Sequence, residues 1–388
     1  MSTKNNLAPN AITGVITGSW VSMRRTLKLV SSLALGWLWV ALPGHVQAQG
    51  CVQSRGAGGP CMLMHDEDMS PKPGQWQVSV GYRWLHSDRE FSGIDEITGR
   101  QVGGGEENKS RSTLHDEMIN DSHFIDLTAT YVITKRFSAS LTLPLVTSDR
   151  SVPVIDHTTG TILERYSTHA EGLSDVSLRG YAWIFDPHGH PDGNLQLGVG
   201  LKFPTGDSRV KDITEIYNPG RGIIIARKLY VDQSIQPGDG GLGVILQAQG
   251  FQKIVKNTFA YLDASYLINP QEKDTATQYS IPDAYLLRAG LSYAVWPSKG
   301  LSLSLGARME GVPVTDWFGE STGFRRPGYA ISIEPGVTWM YKQLSISVTA
   351  PVALERNREK SVAEIASGQH GDAAFADFVI TSSVSLRF

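Results

Sequence analysis

Twelve ionisable side chains stand where chemistry could be built: Arg83, Asp126, Asp175, Arg179, Lys202, Lys253, Asp263, Arg288, Arg308, Glu310, Glu334 and Asp377. Bases and acids are equal in number, and they are spread over many segments. Such a set suits a network of structural salt bridges, or a polar wall past which a small solute moves with little preference for sign. Catalysis has less to work with. Ser122 and His123 supply a nucleophile and a base, but neighbours on a strand face opposite sides. His115, His157 and His169 lack metal spacing of the His-x-x-x-His type, and no haem-attachment motif is present. The chain is therefore expected to be no enzyme, with no catalytic residue, no metal and no cofactor.

The elements that carry these charges alternate with period two. Trp76, Val78, Val80, Tyr82 and Trp84 alternate with Gln75, Gln77, Ser79, Gly81 and Arg83. Leu195, Leu197, Val199, Leu201 and Phe203 alternate with Gln196, Gly198, Gly200 and Lys202, and Leu301 to Met309 behave alike. Strict alternation over ten residues marks a long strand with one apolar and one polar face. Twelve such segments occur, at 75–86, 122–133, 137–147, 173–185, 194–204, 242–254, 258–269, 283–295, 301–310, 329–340, 344–354 and 375–388. They are longer than the usual soluble strand and match the length that crosses a bilayer.

The connections alternate strictly between short and long, the long ones spanning 13 to 37 residues. Outer-membrane barrels have this asymmetry, with tight periplasmic turns and longer external loops. All twelve charges fall on the parity opposite the apolar residues, which random placement would give roughly once in 4,000 trials. The expected fold is all-β: a transmembrane, antiparallel, up-and-down β-barrel of about twelve strands over 75–388. With nothing filling it, such a barrel leaves a lumen of about 12–14 Å. The net charge of −3 gives no basic footprint for nucleic acid.

The only long apolar run, 29–42, is too short to span a membrane as a helix. Arg24, Arg25 and Lys28 precede it and Val46-Gln47-Ala48 follows it, the pattern of a secretory signal over 1–48 whose true start is Met23. Cys51 and Cys61 come next, in a segment, 49–74, expected as a periplasmic tail; plugging the lumen is the other option. In an oxidising compartment the two cysteines most simply form one disulfide, although Cys51 could instead end a lipid-attachment motif. Loop 205–241 is expected either as a constriction in the mouth or as a hairpin extending above the membrane.

The chain ends Val384-Ser385-Leu386-Arg387-Phe388. Alternation back from a terminal Phe388 resembles the signature by which barrel-assembly machinery recognises its clients. Gly172-Leu173-Ser174-Asp175 and Leu201-Lys202-Phe203-Pro204-Thr205-Gly206-Asp207 resemble the outer-membrane transporters named for the meta-pathway of phenol degradation. That resemblance implies a barrel that passes small, often aromatic or apolar, solutes, and it supplies no catalytic residue. The expected partners are outer-membrane lipid, the assembly machinery and a small-molecule solute, in a Gram-negative-type outer membrane. A non-transporting surface barrel that binds a partner or supports the envelope is the alternative.

Overall fold

Period-two alternation becomes strand pairing in the computed structural model, which describes residues 72–97, 117–156, 159, 161–376 and 379–388. The signal over 1–48, the Cys51–Cys61 disulfide and Asp377 lie outside the described residues. In chain order the strands are β1 (Trp76–Ser87), β2 (Glu90–Ser92), β3 (Asp95–Ile97), β4 (Ile119–Val132), β5 (Phe137–Asp156), β6 (Thr161–Leu173), β7 (Ser177–Trp183), β8 (Gly193–Lys202), β9 (Lys211–Asn218), β10 (Ile223–Tyr230), β11 (Gly243–Val255), β12 (Thr258–Ile268), β13 (Ala284–Trp296), β14 (Leu301–Val312), β15 (Gly328–Tyr341), β16 (Leu344–Thr349), β17 (Val352–Arg358), β18 (Ala373–Ala374) and β19 (Val379–Arg387).

Twelve staves close into an antiparallel barrel. The order is β1, β4, β5, the β6–β7 stave, β8, β11, β12, β13, β14, β15, the β16–β17 stave and β19, which returns to β1. Closure is required because hydrocarbon cannot satisfy an open strand edge. The closing seam pairs Val80 with Val384, and Trp76 and Phe388 exchange two backbone hydrogen bonds at the short-turn end. Both chain ends of the barrel therefore lie with the short turns, which is the periplasmic end of such folds.

Two staves are broken where single strands are expected. The 173–185 segment is interrupted at Ser174–Val176, opposite Pro144 of β5, so that β6 pairs with the upper half of β5 and β7 with its lower half. Similarly, Ala350 and Pro351 separate β16 from β17. Proline lacks the N–H that a continuous ladder needs. In the other direction, β5 runs nine residues beyond the expected end, to Asp156, because above the membrane alternation no longer marks it: Ser148–Ser151 is polar on both faces, and the neighbours Val154 and Ile155 are both apolar.

The apolar parity faces outward. Val80, Leu127, Leu143, Leu178, Val199, Leu262, Leu291 and Leu305 are all exposed large hydrophobics. An exposed apolar belt of this extent is stable only against lipid. Aromatic rings border its periplasmic edge: Trp76 lies against Tyr131 with centroids 4.9 Å apart, and Trp339 stacks on Tyr341 at 6.0 Å. Such rings prefer the membrane–water boundary.

The long connections build a cap over the external end. The 205–241 loop projects the hairpin β9–β10 and then returns through a 3-10 turn, Gln233–Ile235, so both options held for it are partly realised. Short strands β2, β3 and β18 form a separate small sheet, and a capped helical turn, Val362–Ser367, follows β17.

Candidate functional site: a divided lumen

One wall of the barrel interior is packed solid. Across β12 to β15, Arg288 donates from Nε to Glu334 Oε2 at 2.7 Å and lies 3.5 Å from Asp263. On the next strand Arg308 meets Glu310 at 2.8 Å and Glu334 at 3.6 Å. All five side chains are buried. The pairing joins neighbouring strands along one wall and does not cross the lumen.

Below this network the interior is aromatic. Trp183 meets Phe251 edge-on at 6.3 Å, and Phe251 meets Phe259 at 6.4 Å. Tyr261 joins the cluster, and its hydroxyl lies where a Cβ on Gly306 would sit, at 2.2 Å, so only glycine fits there. These rings share the parity of the lumen charges: Phe251 and Lys253 are two apart on β11. Their position in the short-turn half of charge-bearing strands is a signal the sequence contains, although charge alone does not reveal it. They fill part of the lumen that an empty barrel would leave open.

The wall from β1 to β8 supplies most of the lining of a cavity of about 220 Å³, which β11 to β13 and β19 complete. Its lining is dominated by hydroxyl and amide groups, among them Gln77, Ser79, Thr128, Ser140, Gln196 and Ser385. Arg83, Asp126, Asp175, Arg179 and Lys202 also line it. The Arg83 guanidinium sits 4.4 Å over the Phe124 ring. Lys253 is elsewhere, at the periplasmic rim, where it pairs with Asp192 at 2.7 Å. Ser122 faces inward and is buried while His123 is exposed, so strand parity does separate the nucleophile from the base. Among the described residues no group of three or more His, Cys, Asp or Glu could hold a metal ion.

Asp175 and Lys202 do more than line the cavity. Asp175 accepts from the backbone N–H groups of Gly206 and Asp239, both at 3.1 Å, and lies 3.8 Å from the Lys202 ammonium, which also bonds Asp239. Thr205 Oγ1 donates to the Ser174 carbonyl at 2.9 Å and accepts from Val176 N–H at 2.9 Å. The 172–175 and 201–207 motifs therefore clasp each other. Gly206 and Gly238 touch backbone to backbone: a Cβ on Gly238 would lie 2.4 Å from the Gly206 carbonyl oxygen. This clasp fixes the return of the 205–241 loop over the lumen mouth.

Two further cavities continue outward. One of about 110 Å³ shares Phe124, Leu267 and Ala284 with the lumen cavity. The outermost, about 280 Å³, shares Tyr279 and Arg326 with the middle one. At this outer neck Arg326 donates to both Asp232 carboxylate oxygens, at 3.0 and 2.9 Å, and Arg150 approaches the same carboxylate at 3.7 Å. Burial pushes the Asp232 carboxyl pKa up, but Arg150 and Arg326 override it and hold it well below the usual range. A depressed folded pKa contributes stability that is present above the unfolded value of about 3.9 and lost only as pH falls through the lower folded value. The neck should therefore keep its state between about pH 5 and 8. Solute flux measured across that range should be flat, and Asp232→Asn, which leaves two guanidiniums facing each other, should raise it.

No protein-family profile matches the sequence, and no curated protein matches it. Among solved structures it is similar to an outer membrane channel from Pseudomonas putida F1, with a TM-score of 0.52 and 12% identity over 86% of this chain and 100% of that one. The Pseudomonas putida toluene transporter TodX gives a TM-score of 0.43 at 11% identity, covering 86% of this chain and 95% of that one. A Pseudomonas aeruginosa FadL homologue gives 0.39 at 9% identity, covering 85% and 95%. The first likeness shows the fold, and the other two are too loose to carry an argument. The closed barrel and its lipid belt make this chain an outer-membrane protein of the Gram-negative type.

Proposed function

We propose that the barrel passes a small solute by passive diffusion from the outer vestibule, past the Asp232 neck, through the polar lumen to the periplasm. The observation that carries this reading is the chain of three adjoining cavities that share lining residues at each junction. Balanced charge and a hydroxyl-rich wall suit a permeation path, where binding must be weak enough to release. The aromatic or apolar solutes implied by the family resemblance find support in the vestibule rings Tyr166, Tyr230 and Tyr279 and in Phe124 of the lumen cavity. The lumen lining is mixed, with Phe124, Ile245 and Leu267 set among its hydroxyl, amide and charged groups. On this reading most of the twelve charges hold the barrel and its mouth in shape, and Phe388 serves as the assembly signal.

A second reading, a surface barrel that transports nothing, is favoured by the Asp232 pairing across the outer neck and the filled wall of β12 to β15. Proteoliposome swelling separates the two. Wild-type protein should admit small solutes, and Ser140→Trp, which places an indole on a residue lining the lumen cavity, should cut the rate by more than half. Absence of swelling in wild type, with folded barrel confirmed on gels, would favour the surface reading.

A further inference from the structure

We propose that the lumen cavity selects a small zwitterion, with Asp126 meeting its cationic group and Arg179 its carboxylate; this rests on the passage reading above. Most lumen charges are already committed. The β12 to β15 network is internally paired, Asp175 and Lys202 are held in the loop clasp, and the buried Arg83 guanidinium lies over the Phe124 ring. Asp126 and Arg179 differ. Both line the cavity, and among the described residues Asp126 forms no ion pair or hydrogen bond. Arg179 has a single long bond, from Nη1 to Gln247 Oε1 at 3.5 Å, and its Nε is buried with no partner.

The site around Arg179 is built. Its register partner on β8 is Gly200, where a Cβ would lie 2.6 Å from Arg179 Cγ. Two residues along, a Cβ on Gly198 would lie 2.8 Å from the Tyr181 ring. Two glycines on the lumen face of β8 thus let Arg179 and Tyr181 lie across the strand. Gly81 stands beside Asp126 in the same way, so a Cβ there would contact it at 3.5 Å.

Asp126 pairs in register with Pro144 of β5, and Arg179 with Ser140 of the same strand. The acid thus lies nearer the external end and the base nearer the periplasm. A pure anion meets an unpaired carboxylate on entry, and a pure cation meets an unpaired guanidinium on exit. A solute with both charges finds a partner for each. A guanidinium fork matches a planar carboxylate, and a charged hydrogen bond outweighs a neutral one. A hydrocarbon would desolvate both charges and replace neither set of hydrogen bonds. At about 220 Å³ the cavity is smaller than the pockets that take drug-sized ligands, which fits a solute of a few carbons.

Uptake into proteoliposomes of three four-carbon probes of equal length tests this: 4-aminobutyrate, succinate and putrescine, at neutral pH. Wild type should take up 4-aminobutyrate faster than either of the others. Asp126→Asn should move the preference toward succinate, and Arg179→Gln toward putrescine, each by about tenfold, the worth of one charged hydrogen bond. Arg179→Lys should keep the wild-type order. Gel mobility before and after heating shows that each variant is folded. Equal rates for the three probes in wild type, a preference for one sign alone, or variants that leave the order unchanged would overturn the zwitterion assignment while leaving passage intact. No uptake of any probe by folded wild type would overturn passage and this assignment together.

Discussion

Val199→Arg should prevent most of the chain from assembling into a folded barrel. Val199 lies in the middle of β8, on the outward parity, and is 59% exposed. In water that exposure would be harmless, but in a bilayer a midplane guanidinium costs about 2–4 kcal/mol. That is a large share of the net stability of a folded domain. Thr130→Arg on β4 is the matched control, because Thr130 lines the lumen cavity. It should assemble as wild type. The fraction of heat-modifiable protein on gels, after expression in an outer membrane or refolding into vesicles, reads both. Equal folding of the two variants would mean that the apolar face does not meet lipid.

Glu334→Ala carries the second large effect. Glu334 is 1% exposed and bridges Arg288 and Arg308. Its removal takes from Arg288 its 2.7 Å carboxylate partner and from Arg308 one of the two carboxylates it meets, with Asp263 at 3.5 Å from Arg288 and Glu310 at 2.8 Å from Arg308. Truncating one member of a buried charged cluster costs about 3–5 kcal/mol, because the partners stay buried without full compensation. Urea unfolding in detergent or vesicles should show a large fall in midpoint. The cavity lined mostly by β1 to β8 should be unaffected, so any Glu334→Ala protein that does fold should retain solute flux. A variant as stable as wild type would mean that water reaches this wall freely and that the network is solvent-exposed.

The membrane-spanning part of the fold is legible because a bilayer imposes one rule on every residue of a stave. Leu195 to Leu201 must face lipid, so their neighbours must face the lumen, and charge parity follows. Above the membrane that rule lapses. Ser148-Asp149-Arg150-Ser151 belongs to β5 as fully as Leu141 to Leu145 do, yet no alternation marks it. Pro144 marks the break at Ser174–Val176, but the clasp with Thr205 and Gly206 that occupies it joins segments about thirty residues apart in sequence. The outer neck joins Asp232 to Arg326 across 94 residues, and pairing over that span leaves no local pattern.

The lumen was only half legible. Charge parity places Arg288, Arg308, Glu310 and Glu334 on the inner face, but it cannot say which charges pair with one another and which face open space. That division depends on side-chain reach across neighbouring strands. Gly200 makes room for Arg179, and Gly306 makes room for Tyr261. Trp183, Phe251 and Phe259 show the same limit: they sit on the polar parity, but only packing shows that they close off one wall.

Current through single molecules in a planar bilayer tests the central claim, that a continuous aqueous path runs the height of the barrel. Wild-type protein should give discrete, long-lived current steps in simple salt at neutral pH, and Ser140→Trp should reduce them by more than half. A folded, bilayer-inserted wild-type barrel that carries no current would contradict the account.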